Sequence, residues 1–132
     1  MLKYMLDTNI VIYTLKNKPA RVREAFEKHA GEMCLSTVTL GELIYGAEKS
    51  GQVERNLSVI EGLAARMQVV SFDPQAAMHF GQIRAELVQC GNAIGPYDMM
   101  IAGHARALGL ILVSNNVREF DRVPGLRLQN WA

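Results

Sequence analysis

Five short apolar runs are spaced along the chain: "KYML", "MCLST", "QVVSF", "LILVS" and "GLRLQ". Each is strand-length, and the first three are followed by stretches of helical period. Strands that alternate with helices return beside one another in the same direction, so the chain is expected to form a layered α/β fold around a mainly parallel sheet. "GLRLQ" is expected at the edge. At 132 residues, with no linker, repeat or low-complexity tract, residues 1–132 are read as one domain.

The helical segments carry start and stop signals. "TNIVIYTLK" reads as a short helix capped by Thr8 or Asn9. "NKPARVREAFEKHAGE" follows, with Pro19 early, Val22, Phe26 and Ala30 in a stripe, and Gly31 as the stop. "VTLGELIYGAEKSG" places Leu40, Leu43, Ile44 and Ala47 on one face, and "VERNLSVIEGLAARM" is a further amphipathic helix. In "DPQAAMHFGQIRAELVQCG" Asp73 caps, Pro74 opens and Gly91 closes. "GNAIGPYD" reads as a loop, and "DMMIAGHARALG" as a helix ending at Gly109.

Composition excludes several classes. Fourteen basic and thirteen acidic side chains leave a net charge of +1, so nucleic acid would have to be gripped by a local patch. Lys16, Lys18, Arg21 and Arg23 are the candidates, although a solvated helix surface explains them equally. Cys34 and Cys90 lack metal or redox spacing and are expected to be inert thiols. No apolar run reaches the roughly 20 residues of a membrane helix, and "MLKYMLD" has no signal-peptide core, so a cytoplasmic protein is expected.

The oddity is Asp7, at the end of the first apolar strand. A buried, unpaired carboxylate is costly or stays protonated, so Asp7 must either cap a helix or have partners. Three other acidic positions invite the same two readings. Glu42 could close a capping box with Thr39, yet it lies between Leu40, Leu43 and Ile44. Asp98 could serve the dipole of its helix, yet "MMIA" drives that helix into the core. Glu119, with Asn115 and Asn116, could be ordinary turn chemistry after a strand. Asp7, Ser36, Thr37 and Ser114–Asn116 all fall at expected strand ends, where α/β sheets place their sites. Four carboxylates gathered there would repel one another unless protons or a hard cation intervened. His29, His79 and His104 have no ligand spacing and suit packing or surface roles.

The segments "MLDTNIVIY", "STVTLGELIYGA" and "GPYDMMIAGHARALGLILVSNNVREFDRVPGLRLQNW" resemble PIN-domain nucleases. More narrowly, they are similar to the VapC-type toxins of bacterial VapBC toxin–antitoxin systems. The opening DTN, the GEL helix, the D-x-x-I-A motif and the strand-N-N-x-x-E-F segment occur in the family's order and span effectively the whole chain. The resemblance implies a three-layer α/β/α sandwich with a roughly five-stranded parallel sheet. It implies a Mg²⁺- or Mn²⁺-dependent endoribonuclease that shuts down translation and is neutralised by a VapB-type antitoxin. A homodimer, and operator DNA bound only through the antitoxin, are implied too.

Matched position by position, the resemblance makes Asp7, Glu42, Asp98 and Glu119 the catalytic acids, with Asp7 and Asp98 as metal ligands. Many relatives carry Asp where this chain has Asn116, and Glu119 then stands as the replacement acid. Thr8, Asn9, Ser114 and Asn116 become supporting hydrogen-bonding residues. Structured RNA is the implied substrate, with the anticodon stem–loop of initiator tRNA as the leading expectation. Three rival readings exist, and the first, a receiver-type phosphoacceptor domain, would need an adjacent acidic pair on the first strand that "YMLD" does not supply. A phosphatase with an aspartyl nucleophile would want D-x-D, where this chain has Asp7 and Asn9. An inert interaction module of the same fold would bind no Mg²⁺.

Overall fold

The structure is a computed structural model that describes residues 1–16 and 19–132. Strands β1 (Tyr4–Leu6), β2 (Met33–Ser36), β3 (Gln68–Val70), β4 (Ile111–Val113) and β5 (Arg127–Gln129) form one sheet in the order β3-β2-β1-β4-β5. Every pairing is parallel. Helices α1 (Thr8–Lys16), α2 (Ala20–Lys28), α3 (Thr37–Glu48), α4 (Val53–Ala65), α5 (Pro74–Gln89), α6 (Pro96–Leu108) and α7 (Val117–Phe120) supply the connections. The parallel α/β expectation holds, with five strands.

Alternation along the strands builds two cores. Tyr4, Leu6, Met33, Leu35 and Val113 face one side, where they meet Ile10, Val11, Val22, Leu43, Ile60 and Leu63 of α1–α4. Met5, Cys34 and Leu112 face the other, against Ile83, Leu87, Met99, Ile101, Ala102 and Phe120. Side chains in a strand point to opposite faces in turn, so central strands of three or four residues suffice to serve both layers. The three layers are thus helix, sheet and helix.

Chain order leaves β1 toward β2 and β3, then returns to the other side of β1 as β4. This reversal opens a crevice beyond the carboxyl ends of β1 and β4, the place where open α/β sheets bind ligands. Leu6 pairs with Val113, so the next residues on the two strands, Asp7 and Ser114, emerge side by side. Gly109 takes a left-handed conformation, φ 68°, that ends α6 and turns the chain into β4.

Several local expectations are corrected. α2 ends at Lys28, before Gly31, and Ala30 is exposed. α3 starts at Thr37, because Ser36 caps it by accepting the Val38 amide at 3.0 Å. Its inward face is therefore Thr39, Leu43 and Ala47, while Ile44 is exposed. α6 begins at Pro96, so Pro96 and Tyr97 belong to the helix and not to the preceding loop. A proline at the first helical position loses no intrahelical bond there, which the loop reading overlooked. Cys34 is buried and Cys90 exposed, both free, and burial pushes the Cys34 thiol up to about 11.

Candidate active site

Asp7 follows β1 directly and is almost completely buried. Its Oδ1 accepts the Ile10 amide at 2.9 Å, so Asp7 itself caps α1, in place of Thr8 or Asn9. Its Oδ2 accepts the Ser114 hydroxyl at 2.5 Å. Both readings of Asp7 therefore hold together: it caps a helix, and it faces the crevice. Burial pushes its pKa above the ordinary value, the Ser114 and Ile10 hydrogen bonds pull it back, and the charge of Glu42 pushes it up again. A carboxylate offers about four lone-pair directions, and each Asp7 oxygen keeps capacity beyond its one hydrogen bond.

Glu42 stands on α3 and accepts the Thr8 hydroxyl at 2.7 Å through Oε1. The capping box with Thr39 does not form: Thr39 is buried within α3 and its hydroxyl has no partner among the described residues. The bond to Thr8 ties the start of α1 to the second turn of α3 and aims Glu42 toward Asp7.

Asp98 lies in the first turn of α6, where the helix dipole favours a negative charge. Its carboxyl folds back over Gly95: a Cβ added to Gly95 would sit 3.5 Å from Asp98 Oδ2. The Asp98 pKa is pushed up to about 6, first by burial and then by the charges of Glu42, Asp7 and Glu119. The charges of the other three acidic positions are thus felt at Asp98.

On the far wall, Glu119 sits in α7 and its Oε2 accepts the Asn116 side-chain amide at 2.9 Å. The Asn116 backbone amide donates to Ser114 Oγ at 2.9 Å. Asn116 and Glu119 are thus hydrogen-bonded to each other, the amide holding the acid. Ser114, Asn116 and Glu119 form a continuous hydrogen-bonded run that begins at Asp7. Asn9 is exposed and approaches Asp7 through its backbone amide.

Of the basic candidates, the described ones, Lys16, Arg21 and Arg23, do not line the cleft that contains Glu42. Lys16 is at the opposite end of α1, roughly 12 Å along the helix from Thr8 at about 1.5 Å per residue. Arg21 is exposed on α2, and exposed Arg23 pairs with Glu27 at 3.2 Å. Lys18 lies outside the described residues. The residues that the sequence reading missed are Tyr97, one position before Asp98, and Lys49; both line a cleft that also contains Thr8 and Glu42. Tyr97 was hidden by assigning it to a loop, and Lys49 lies outside the apolar stripe by which its helix was read.

An all-oxygen donor set of carboxylates, hydroxyls and amides suits a hard divalent cation. Among the described residues, no three His, Cys, Asp or Glu side chains already form a closed ligand cluster. The mutual repulsion that raises Asp98 is the feature that fits such an ion: positive charge placed between these acids would relieve it.

Residues 4–126 match the family model of the PIN domain. The chain is 63% identical to the tRNA(fMet)-specific endonuclease VapC of Shigella flexneri over 132 residues, which is 100% of both chains. It is 55% identical to Ribonuclease VapC2 of Haemophilus influenzae, again over 100% of both. Its fold is similar to the toxin chain in the crystal structure of DNA-bound VapBC from Salmonella typhimurium, with a TM-score of 0.96, 57% identity and 100% coverage of each chain. PIN-domain ribonucleases generally depend on a divalent metal. Fold, crevice and these likenesses agree: the chain belongs to the PIN-domain family and, within it, to the VapC-type endoribonucleases of toxin–antitoxin systems.

Proposed function

We propose that this endoribonuclease acts in the cytoplasm on initiator tRNA, cutting the anticodon stem–loop, with Mg²⁺ or Mn²⁺ held by Asp7 and Asp98. The observation that carries the reading is the geometry at the strand ends: the buried Asp7 carboxylate is held by Ser114 at 2.5 Å and the Ile10 amide at 2.9 Å, and Glu42 is held by Thr8 at 2.7 Å. The name of the Shigella flexneri relative, a tRNA(fMet)-specific endonuclease, supports the substrate.

A cation, when bound, supplies the positive charge that the four acids lack and acidifies a water for attack on phosphorus. The chain's own residues prepare that chemistry. Ser114 and the Ile10 amide fix both oxygens of Asp7, so its carboxylate has one orientation. Thr8 fixes Glu42, which is placed to orient the attacking water. Asn116 fixes Glu119 on the opposite wall, where it would hold the charge balance as substrate phosphate enters. Attack by a water, with no role for the RNA 2′-hydroxyl as nucleophile, would leave 5′-phosphate and 3′-hydroxyl ends.

A VapB-type antitoxin would neutralise the enzyme, bind operator DNA on its behalf and assemble with a homodimer of this chain. The solved structures of similar VapBC proteins bound to DNA support the antitoxin and DNA parts of that assembly. The test of function is incubation of purified protein with total tRNA in Mn²⁺ or EDTA, followed by mapping of ends. A single metal-dependent cut in the initiator anticodon loop, leaving 5′-phosphate and 3′-hydroxyl ends, is expected. Cleavage that persists in EDTA would overturn the reading. A stable phosphatase activity without RNA cleavage would favour the aspartyl rival instead.

A further inference from the structure

Beside the acids, the crevice continues into a cleft of about 920 Å³ whose walls include Thr8, Glu42, Tyr45, Gly46, Lys49 and Tyr97. Two aromatic rings stand at its edge in unusual exposure: Tyr45 keeps 66% of its surface accessible and Tyr97 keeps 59%. On α3 the cleft-facing residues recur at helical spacing, so Glu42, Tyr45, Gly46 and Lys49 share one stripe. Lys49 Nζ lies 5.0 Å from the centroid of the Tyr45 ring. Tyr97 stands on the other helix of the site, adjacent to Asp98. One ring thus stands on the helix that carries Glu42 and the other on the helix that carries Asp98.

The glycines of α3 add an independent observation. Gly41 and Gly46 lie inside the helix, where glycine is less favourable than alanine. A Cβ at either position would meet nothing within 4 Å. Packing within the chain does not require them, yet both face the cleft. Bare helix backbone there gives room to whatever enters.

We propose that Tyr45 and Tyr97 are stacking platforms for unpaired nucleobases of the RNA substrate, with Gly46 giving the strand close approach and Lys49 facing its phosphates. This rests on reading the acidic crevice as the RNA-cleaving site. Unpaired loop bases are the part of a structured RNA that a protein can splay onto aromatic rings. Two stacking platforms in the cleft that contains Glu42 would hold unpaired bases of the strand beside the acids. Lys49 is the one cation among the described residues that line the cleft, and it counters the charge that Glu42 presents to a phosphate.

The substrate for the test is the tRNA that the wild-type protein cuts in total tRNA with Mn²⁺. Tyr45→Ala and Tyr97→Ala are each expected to raise KM by about 5- to 150-fold, the range for losing one base stack, with kcat and melting temperature unchanged. Tyr45→Phe and Tyr97→Phe should restore KM, because the ring and not the hydroxyl stacks. Gly46→Ala should raise the melting temperature while raising KM, two signs that a purely structural glycine would not combine. In the Asp98→Asn background, a stem–loop RNA carrying 2-aminopurine in the loop should lose fluorescence on binding, and Tyr→Ala should recover it. Unchanged KM and quenching in both alanine variants overturn the proposal. So does loss of antitoxin affinity without loss of RNA affinity, which would make the cleft a peptide site. Full cleavage by Asp98→Asn overturns the crevice reading instead, and the kinetics of the tyrosine variants distinguish that result.

Discussion

Ser114 donates to Asp7 Oδ2 at 2.5 Å across 107 positions of sequence, and the same hydroxyl oxygen accepts the Asn116 backbone amide at 2.9 Å. One side chain at the end of β4 therefore sets the orientation of the buried acid at the end of β1 and of the turn that presents Glu119. The parallel pairing of Leu6 with Val113 makes this possible, since it delivers the two following residues together.

Ser114→Ala removes a donor that favours the charged form of Asp7. The expected result is a folded protein, less stable by about 1–3 kcal/mol, with Asp7 raised further above its ordinary pKa. The acid limb of the pH–rate profile should move to higher pH. A profile that keeps its acid limb would show that Asp7 does not need the hydroxyl.

Asp98 allows a test in which stability and function move in opposite directions. Its folded pKa, about 6, lies above the ordinary 3.8, so its contribution to stability is present below 3.8 and lost as pH rises through 6. Asp98→Asn should therefore raise the melting temperature of the metal-free protein at neutral pH and flatten this part of its pH dependence. The same variant should lose both RNA cleavage and Mn²⁺-linked thermal stabilisation. Retained stabilisation by Mn²⁺ would remove Asp98 from the ligand set.

The buried His104 titrates with the contrary sign. Its Nδ1 lies 2.9 Å from Ser36 Oγ, the hydroxyl that caps α3, while Nε2 has no partner among the described residues. Burial pushes its pKa below the ordinary 6.5, so its contribution is present above 6.5 and lost as pH falls through the folded value. His104→Gln should remove that acid-side loss in urea midpoints measured between about pH 4 and pH 7. An unchanged acid-side slope would locate the titrating group elsewhere.

Much of the layout was legible because it rests on period. Short apolar runs marked the strands, and Asp73, Pro74, Gly91 and Gly109 marked helix ends whose chemistry is local. Asp7, Glu42 and Asp98 stood out because a charge inside an apolar stretch needs a partner. What the sequence hid was pairing across distance. Thr39 and Glu42 have capping-box spacing, yet Ser36 begins the helix earlier and Thr8, 34 positions away, takes Glu42. Asn116 and Glu119 looked like competitors for one acidic position, because hydrogen bonding between them depends on the turn into α7. Tyr97 escaped notice because its exposure is set by the tertiary fold, not by helical period.

Asn116→Asp tests that last pairing. It would place a second carboxylate where an amide now donates to Glu119 at 2.9 Å. The metal-free protein should be destabilised by about 1–3 kcal/mol through loss of the bond and like-charge repulsion. Saturating Mn²⁺ should offset most of that loss, and the metal concentration for half-maximal cleavage should fall. Equal destabilisation with and without Mn²⁺ would place the pair outside the cation's reach.

Gly103 sets how closely α6, and with it Asp98, seats on α5. It is buried, and a Cβ there would stand 2.7 Å from the Phe80 backbone nitrogen and 2.9 Å from Phe80 Cα. Backbone atoms cannot turn aside as a side chain can, so Gly103→Ala must push the helices apart. Alanine is intrinsically better than glycine in a helix by about 1 kcal/mol, so this gain competes with the clash. Overpacking of a tight core costs typically 1–3 kcal/mol or more, and here the clash involves main chain, so the clash wins. The expected outcome is a lower urea midpoint and a loss of cleavage larger than the loss of folded protein, because the displaced helix carries Asp98 at its mouth. Gly46→Ala, in the open cleft, should move the midpoint the other way, and equal midpoint shifts in the two variants would show that the α5–α6 contact is not limiting.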